Sequence, residues 1–201
     1  MDFIEHSILP RYAVFDSAHN MGHVMTVIRA SLKLAKSVGA DEDMAYTIAA
    51  YHDLGLEGPR AIHHLTSGRI VRADKRLLKW FSPQQISIIA EAVEDHRASA
   101  SRAPRSIYGK IVAEADRDLA PRSVMLRTIQ FGMSHYPEYG KEEHWRRFQE
   151  HLMQKYSQAG YIKLWLHGTE NETNLAELRR IIQSPAELRQ QFEELYIQEK
   201  G

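Results

Sequence analysis

The sequence predicts an all-α protein, a helical bundle with a C-terminal helical extension, and three observations predict it. Apolar residues recur at helical spacing in almost every long segment. No segment joins strict apolar–polar alternation to β-branched enrichment, and Ser, Asp, Pro and Gly punctuate the periodic stretches as helix starts and stops.

The first ten residues, Met1 to Pro10, mix Asp2, Glu5 and His6 into apolar sequence. A first long helix is expected from near Ser17 or Ala18 to about Val38, with Val24, Val27, Ser31, Leu34 and Val38 on one face and Gly39 as its stop. His19 and His23 extend that face. Asp41 is the expected cap of a second helix whose stripe is Ala45, Ile48, Ala49 and His52, ending at Gly55. The pattern from Pro59 to Phe81 breaks into two short helices, Ala61 to Gly68 and Ile70 to Trp80.

Ser82 followed by Pro83 opens the next helix, with Ile86, Ile89, Ala90 and Val93 inward and His96 at its end. A loop, Ser99 to Pro104, leads to a helix from about Ser106 that carries Tyr108, Val112, Ala115 and Leu119 on one stripe, with Asp116 on the same face. Pro121 restarts the chain as a helix to about His135, and the cluster Tyr136 to Gly140 is a turn. Helices near 142–156, 173–183 and 185–199 complete the chain. The expected division is a domain over 1–140 and an extension over 141–201 that packs on the same domain or serves as a homodimer contact.

With 201 residues the chain is long enough to bury a core, and its 26 basic and 26 acidic residues cancel. No global field favours nucleic acid or an anionic membrane, so neither is expected as a partner. The absence of cysteine removes disulfides, thiolate metal sites and thiol catalysis, and suits a cytoplasmic location. No stretch has the apolar length of a membrane span.

Eleven histidines remain, and position singles out a few. His23, His52, His96 and Asp116 each fall on the apolar stripe of a different expected helix. Buried polar groups need partners, and one core histidine bonded to a carbonyl is ordinary. Four such groups on four helices are satisfied together by a shared divalent metal, since imidazole and carboxylate suit Zn, Mn, Fe, Ni or Mg. Asp53, beside His52, reaches the same ion if the backbone turns before Gly55.

The order His23, the doublet His52-Asp53, then Asp116 in Ala-Asp-Arg resembles the H…HD…D signature of the HD superfamily of metal-dependent phosphohydrolases, over residues 17 to 135. The local stretches AAYHDLGL and IVAEADRDL carry it. The resemblance implies an all-α HD-domain bundle with one or two metals, acting on a nucleotide or other small phosphate ester, with His23, His52, Asp53 and Asp116 as ligands of the first ion. The segment HHLTSG resembles the H-x-x-x-G patch of members with a second metal and implies His64 as a ligand, with His96 beside it and Asp53 as bridge.

A metal-activated water would attack phosphorus, and Arg97, Lys110 and Arg117 are candidate phosphate contacts. Asp53 and Glu57 are the candidate catalytic carboxylates, Glu57 as the group that orients water or acts as base. Tyr12, Tyr51, Trp80 and Phe81 are candidates to stack on a base. Many members carry a charged residue three positions after the doublet's aspartate, where this chain has Leu56. The Gly-Tyr-Pro motif of cyclic-dinucleotide phosphodiesterases is absent, so the chain looks like the small stand-alone bacterial HD proteins. Alternative readings are an HD-fold di-iron oxygenase and a non-catalytic nucleotide-sensing HD module.

Overall fold

The computed structural model describes residues 2–16, 18–97 and 102–200, and its backbone packing separates two compact units, Met1–Arg117 and Asp118–Gly201. Among the described residues all regular structure is helical. No helix among them is long and apolar enough to cross a membrane.

In the first unit the chain opens with a turn of π-helix, Ile4–Ile8, and a 3₁₀ segment, Leu9–Val14. Ile4, Ile8 and Tyr12, spaced four apart, are all fully buried. Helix α1 spans Met21–Val38. Its cap is Asn20, whose side chain accepts from the His23 backbone N–H at 3.2 Å. The helix therefore starts later than the sequence suggests, because Asp16 accepts from the Ala18 N–H at 3.0 Å and folds the preceding residues into a turn. The other expected start, Ser17, lies outside the described residues. Gly39 ends α1 at φ 67°, the left-handed conformation that glycine adopts without a Cβ clash.

Helix α2, Glu42–Tyr51, is capped by Asp41 on the Met44 N–H at 3.0 Å and stops one residue before the His-Asp doublet. His52 and Asp53 then lie in a turn that enters a 3₁₀ segment, Leu54–Glu57. A second 3₁₀ turn, Arg60–Ile62, leads into α3, His63–Ala73. That helix runs unbroken through Gly68, where two short helices were expected. The glycine is there for packing: a Cβ would come 2.5 Å from the Glu94 Oε1, so Gly68 lets α3 lie against α4. The real break is Asp74, whose carboxylate accepts from the Arg76 N–H at 3.1 Å and caps the 3₁₀ segment Lys75–Lys79.

Helix α4, Pro83–Asp95, begins with a full capping box: Ser82 Oγ accepts from the Gln85 N–H, and Gln85 Oε1 accepts from the Ser82 N–H. Part of the expected loop after it, Ser99 to Ser101, lies outside the described residues. Helix α5, Ile107–Ala115, is capped by Ser106 and hands over to Asp116. Helix α1 packs on α2 and α5, α3 on α4, and α4 on α2 and α5. Val24, Ile48, Ala49, Ile89, Val93 and Val112 are part of the core they enclose.

The second unit holds α6 (Pro121–His135), α7 (Lys141–Tyr156), α8 (Glu170–Ile182) and α9 (Pro185–Lys200). Helix α6 packs on α7, α8 and α9. The unit boundary therefore falls at 117/118, ahead of α6, where the sequence reading set it at 140. The turn at 136–140 is a hairpin inside the unit. Trp145 and Phe148 of α7 meet Phe192 of α9 at ring-centroid distances of 5.2 Å each.

Candidate metal centre

Three helices of the first unit aim imidazoles and carboxylates at one point. His23 stands in the first turn of α1, His52 caps the end of α2, and Asp53 follows it. Asp116 caps the end of α5. His23 Nε2 lies 3.3 Å from His52 Nε2, 3.2 Å from Asp116 Oδ1 and 3.6 Å from Asp53 Oδ2. His52 Nε2 lies 3.2 Å from Asp53 Oδ2 and 3.7 Å from Asp116 Oδ1.

A second group shares the same aspartate through its other oxygen. Asp53 Oδ1 is 3.4 Å from His63 Nε2 and 3.5 Å from His96 Nε2, and those two nitrogens are 3.0 Å apart. Bonds of about 2.1 Å to one ion set neighbouring donors about 3.0 Å apart at right angles and about 3.4 Å apart in a tetrahedron. The trio His23, His52 and Asp53 and the trio Asp53, His63 and His96 have about that spacing. His52, Asp53 and His96 are buried, so the donors converge away from bulk water.

The tautomers are fixed by the backbone. His52 Nδ1 is 2.7 Å from the Ala49 carbonyl, His96 Nδ1 is 2.6 Å from that of Val93, and His63 Nδ1 is 2.8 Å from that of Arg60. A carbonyl only accepts, so each Nδ1 carries the proton and each Nε2 of a neutral ring offers a lone pair. Each bond spans three residues at a helix or 3₁₀ end, where a carbonyl lacks its intrahelical partner. At His63 and His96 two lone pairs and a carboxylate oxygen thus converge with no proton between them, and a cation satisfies all three. The donor set fits a divalent metal.

The two carboxylates draw positive charge into the centre. Burial pushes the His23 imidazole down, but hydrogen bonds to Asp116 and Asp53 outweigh it and lift its pKa to about 9. Burial would raise the Asp53 and Asp116 carboxyls, yet the surrounding imidazoles hold both below the usual carboxylate range. Burial lowers His96 to about 4, so it stands neutral at physiological pH.

The second group corrects the sequence reading at one position, because it uses His63 and not His64. α3 begins at His63, whose Nδ1 bond to Arg60 turns the ring inward. The next residue points elsewhere on the helix, and His64 Nδ1 is buried with no hydrogen-bond partner. A helix start at 63 is the signal that would have separated the two.

The reading of Glu57 as a base also gains no support. Both of its oxygens are taken by Arg11, Nε and Nη2 each at 2.6 Å, and this pairing lowers the Glu57 carboxyl, the wrong direction for a base near neutral pH. Among the candidate phosphate contacts, Arg97 adjoins His96 and donates Nη1 to the Ala61 carbonyl at 2.7 Å. Lys110 is half-buried on α5, and Arg117 is half-buried next to Asp116.

Three of the four proposed stacking aromatics have other work or none at the site. Phe81 is core, Tyr51 donates its hydroxyl to Asp74 Oδ2 at 2.7 Å, and Trp80 is exposed. Tyr12 is core as well. Fully buried, it donates to the Ala50 carbonyl at 3.0 Å and accepts from the Asp53 N–H at 3.3 Å, so it fixes the backbone of the bridging aspartate. The i, i+4, i+8 spacing of Ile4, Ile8 and Tyr12 is the signal that marks this segment as core.

Comparison with curated proteins and with solved structures gives no match for this chain. The HD domain family matches residues 20–120, half the chain and the span that contains every residue of both groups. Together with the ordered His23, His52-Asp53 and Asp116 set at one centre, that match shows that the chain belongs to the HD domain family.

Proposed function

We propose that the protein is a phosphohydrolase that cleaves a nucleotide or another small phosphate ester at a centre of two divalent metals. The observation that carries this reading is the Asp53 carboxylate, whose Oδ2 faces His23 and His52 while its Oδ1 faces His63 and His96. His23, His52, Asp53 and Asp116 would hold one ion, and Asp53, His63 and His96 the other. Divalent ions bound there supply Lewis acidity towards phosphoryl oxygens and bring the ionisation of water towards neutral pH.

The chain's own part is to hold that centre ready. The Nδ1 bonds of His52, His63 and His96 keep their lone pairs aimed at it, and Tyr12 keeps Asp53 in register. Arg97, Lys110 and Arg117 belong to the proposal as phosphate contacts. Membership of the HD domain family supports the nucleotide as substrate class, and the missing cysteines support a cytoplasmic setting.

The test is metal analysis of protein purified without chelator, followed by phosphate release from a panel of nucleotides and phosphomonoesters with added Mn. Two ions per chain and release abolished by Asp53→Ala are the expected results. The second histidine pair equally suits a di-iron oxygenase, so bound iron with oxygen consumption and no phosphate release would overturn the reading.

A further inference from the structure

At the rim of the metal centre three side chains form a cluster that neither ligand group uses. Arg60 Nη1 donates to Asp16 Oδ2 at 2.9 Å, His19 Nδ1 lies 2.7 Å from Asp16 Oδ1, and Arg60 Nη2 lies 3.4 Å from His19 Nε2. Through the His19 ring the cluster lies beside the first ligand group, and through the main chain of Arg60 it is tied to the second. The His19 ring is 5.8 Å from that of His23, in the first group. The Arg60 carbonyl receives the Nδ1 proton of His63, in the second.

We infer that Arg60 and His19 form the recognition site for the terminal phosphate of the substrate, and that Asp16 is the internal anion that occupies it when no substrate is bound. This rests on the phosphohydrolase reading and names the groups that hold its substrate. The chemistry of the pair is that of an oxyanion site: a carboxylate takes one oxygen to a guanidinium and the other to an imidazole, as two non-bridging phosphate oxygens would. The resting pair is easily exchanged. The side chains of Arg60 and Asp16 are 65% and 53% exposed, and an ion pair so exposed contributes little to stability.

Neighbouring arginines are committed differently. Arg11 places Nε and Nη2 on both oxygens of Glu57, and Arg105 spans Asp95 and Glu94. The pairing of Arg60 with Asp16 also joins the turn before α1 to the turn before α3, the two segments that deliver one histidine to each ligand group. A phosphate seated between Arg60 and His19 is therefore held beside His23, with Arg60 on the turn that enters α3 at His63. Phosphates carrying a terminal dianion fit this site better than diesters do, since the second negative charge adds to the attraction of the Arg60 guanidinium.

The experiment measures binding of inorganic phosphate to the Mn-loaded full chain by calorimetry, with Mn per chain determined alongside. Arg60→Ala is expected to weaken phosphate binding at least tenfold with Mn content unchanged, because the main-chain carbonyl that orients His63 survives the substitution. Asp16→Asn, which retains the oxygen that accepts from Ala18 and His19, is expected to strengthen phosphate binding severalfold by removing the competing charge. Wild-type affinity in Arg60→Ala, or weaker binding in Asp16→Asn, overturns the inference. Failure of the Mn-loaded wild type to bind phosphate would instead overturn the phosphohydrolase reading on which it stands.

Discussion

His63 and His96 meet nitrogen to nitrogen at 3.0 Å, each with its other ring nitrogen committed to a main-chain carbonyl. Two lone pairs at that distance repel unless a proton or metal lies between them, and Asp53 Oδ1 at 3.4 Å and 3.5 Å adds a third donor. His63→Ala is therefore expected to lower the metal content from two ions per chain to one. His64→Ala should leave it at two, and plasma emission analysis of both variants distinguishes them. Loss of an ion in the His64 variant alone would restore the sequence reading.

Tyr12 acts on the same centre through hydrogen bonds alone. Tyr12→Phe leaves the Ala50 carbonyl and the Asp53 N–H buried without their shared partner, at a cost of about 1–3 kcal/mol. Loss of an outer hydrogen bond that orients a ligand weakens metal binding by roughly 10–100-fold. Denaturant unfolding and a chelator competition read the two effects separately.

Gly55 is where the turn after the doublet presses on α3. A Cβ there would stand 1.9 Å from the His63 carbonyl and 2.7 Å from the Ser67 N, both backbone atoms that cannot rotate away. Its N–H also donates to Ser67 Oγ at 2.8 Å. Gly55→Ala is expected to destabilise by about 1–3 kcal/mol or more and to move His63 relative to Asp53. Thermal unfolding and metal content should both fall.

Asp74 gives the first unit an acid-sensitive joint. Burial alone would raise its carboxyl, but hydrogen bonds from Arg76 and Tyr51 outweigh it and hold the folded value below the ordinary 3.8. A depressed carboxylate contributes stability that is fully present above its unfolded pKa and is lost as pH falls through the folded one. Asp74→Asn should lower the melting temperature near pH 6 and narrow its gap to wild type below about pH 4. A gap that stays constant across that range would show that the charge plays no part.

The sequence carries more of the fold than of the site. Helix starts at Asp41, Ser82 and Pro121 and the stop at Gly39 are local events, decided by which side chain reaches which orphan N–H, by proline's fixed φ at the first helical position, or by glycine's freedom at φ 67°. They were legible because their partners lie within four residues. The run through Gly68 was not, since its reason is Glu94 on a different helix, 26 positions away.

The same boundary separates what was known of the metal centre from what was not. By itself the sequence determined an all-α chain and singled out His23, His52, His96 and Asp116, because polar groups on the apolar stripes of separate helices have to be satisfied in the core they share, and the resemblance to the HD superfamily added Asp53. Tertiary structure alone decided that His63 and not His64 completes the second group, that Glu57 is spent on Arg11, and that Tyr12 supports Asp53. Those assignments turn on a helix starting at residue 63 and on contacts across 41 and 46 positions, distances over which periodicity and spacing carry no information.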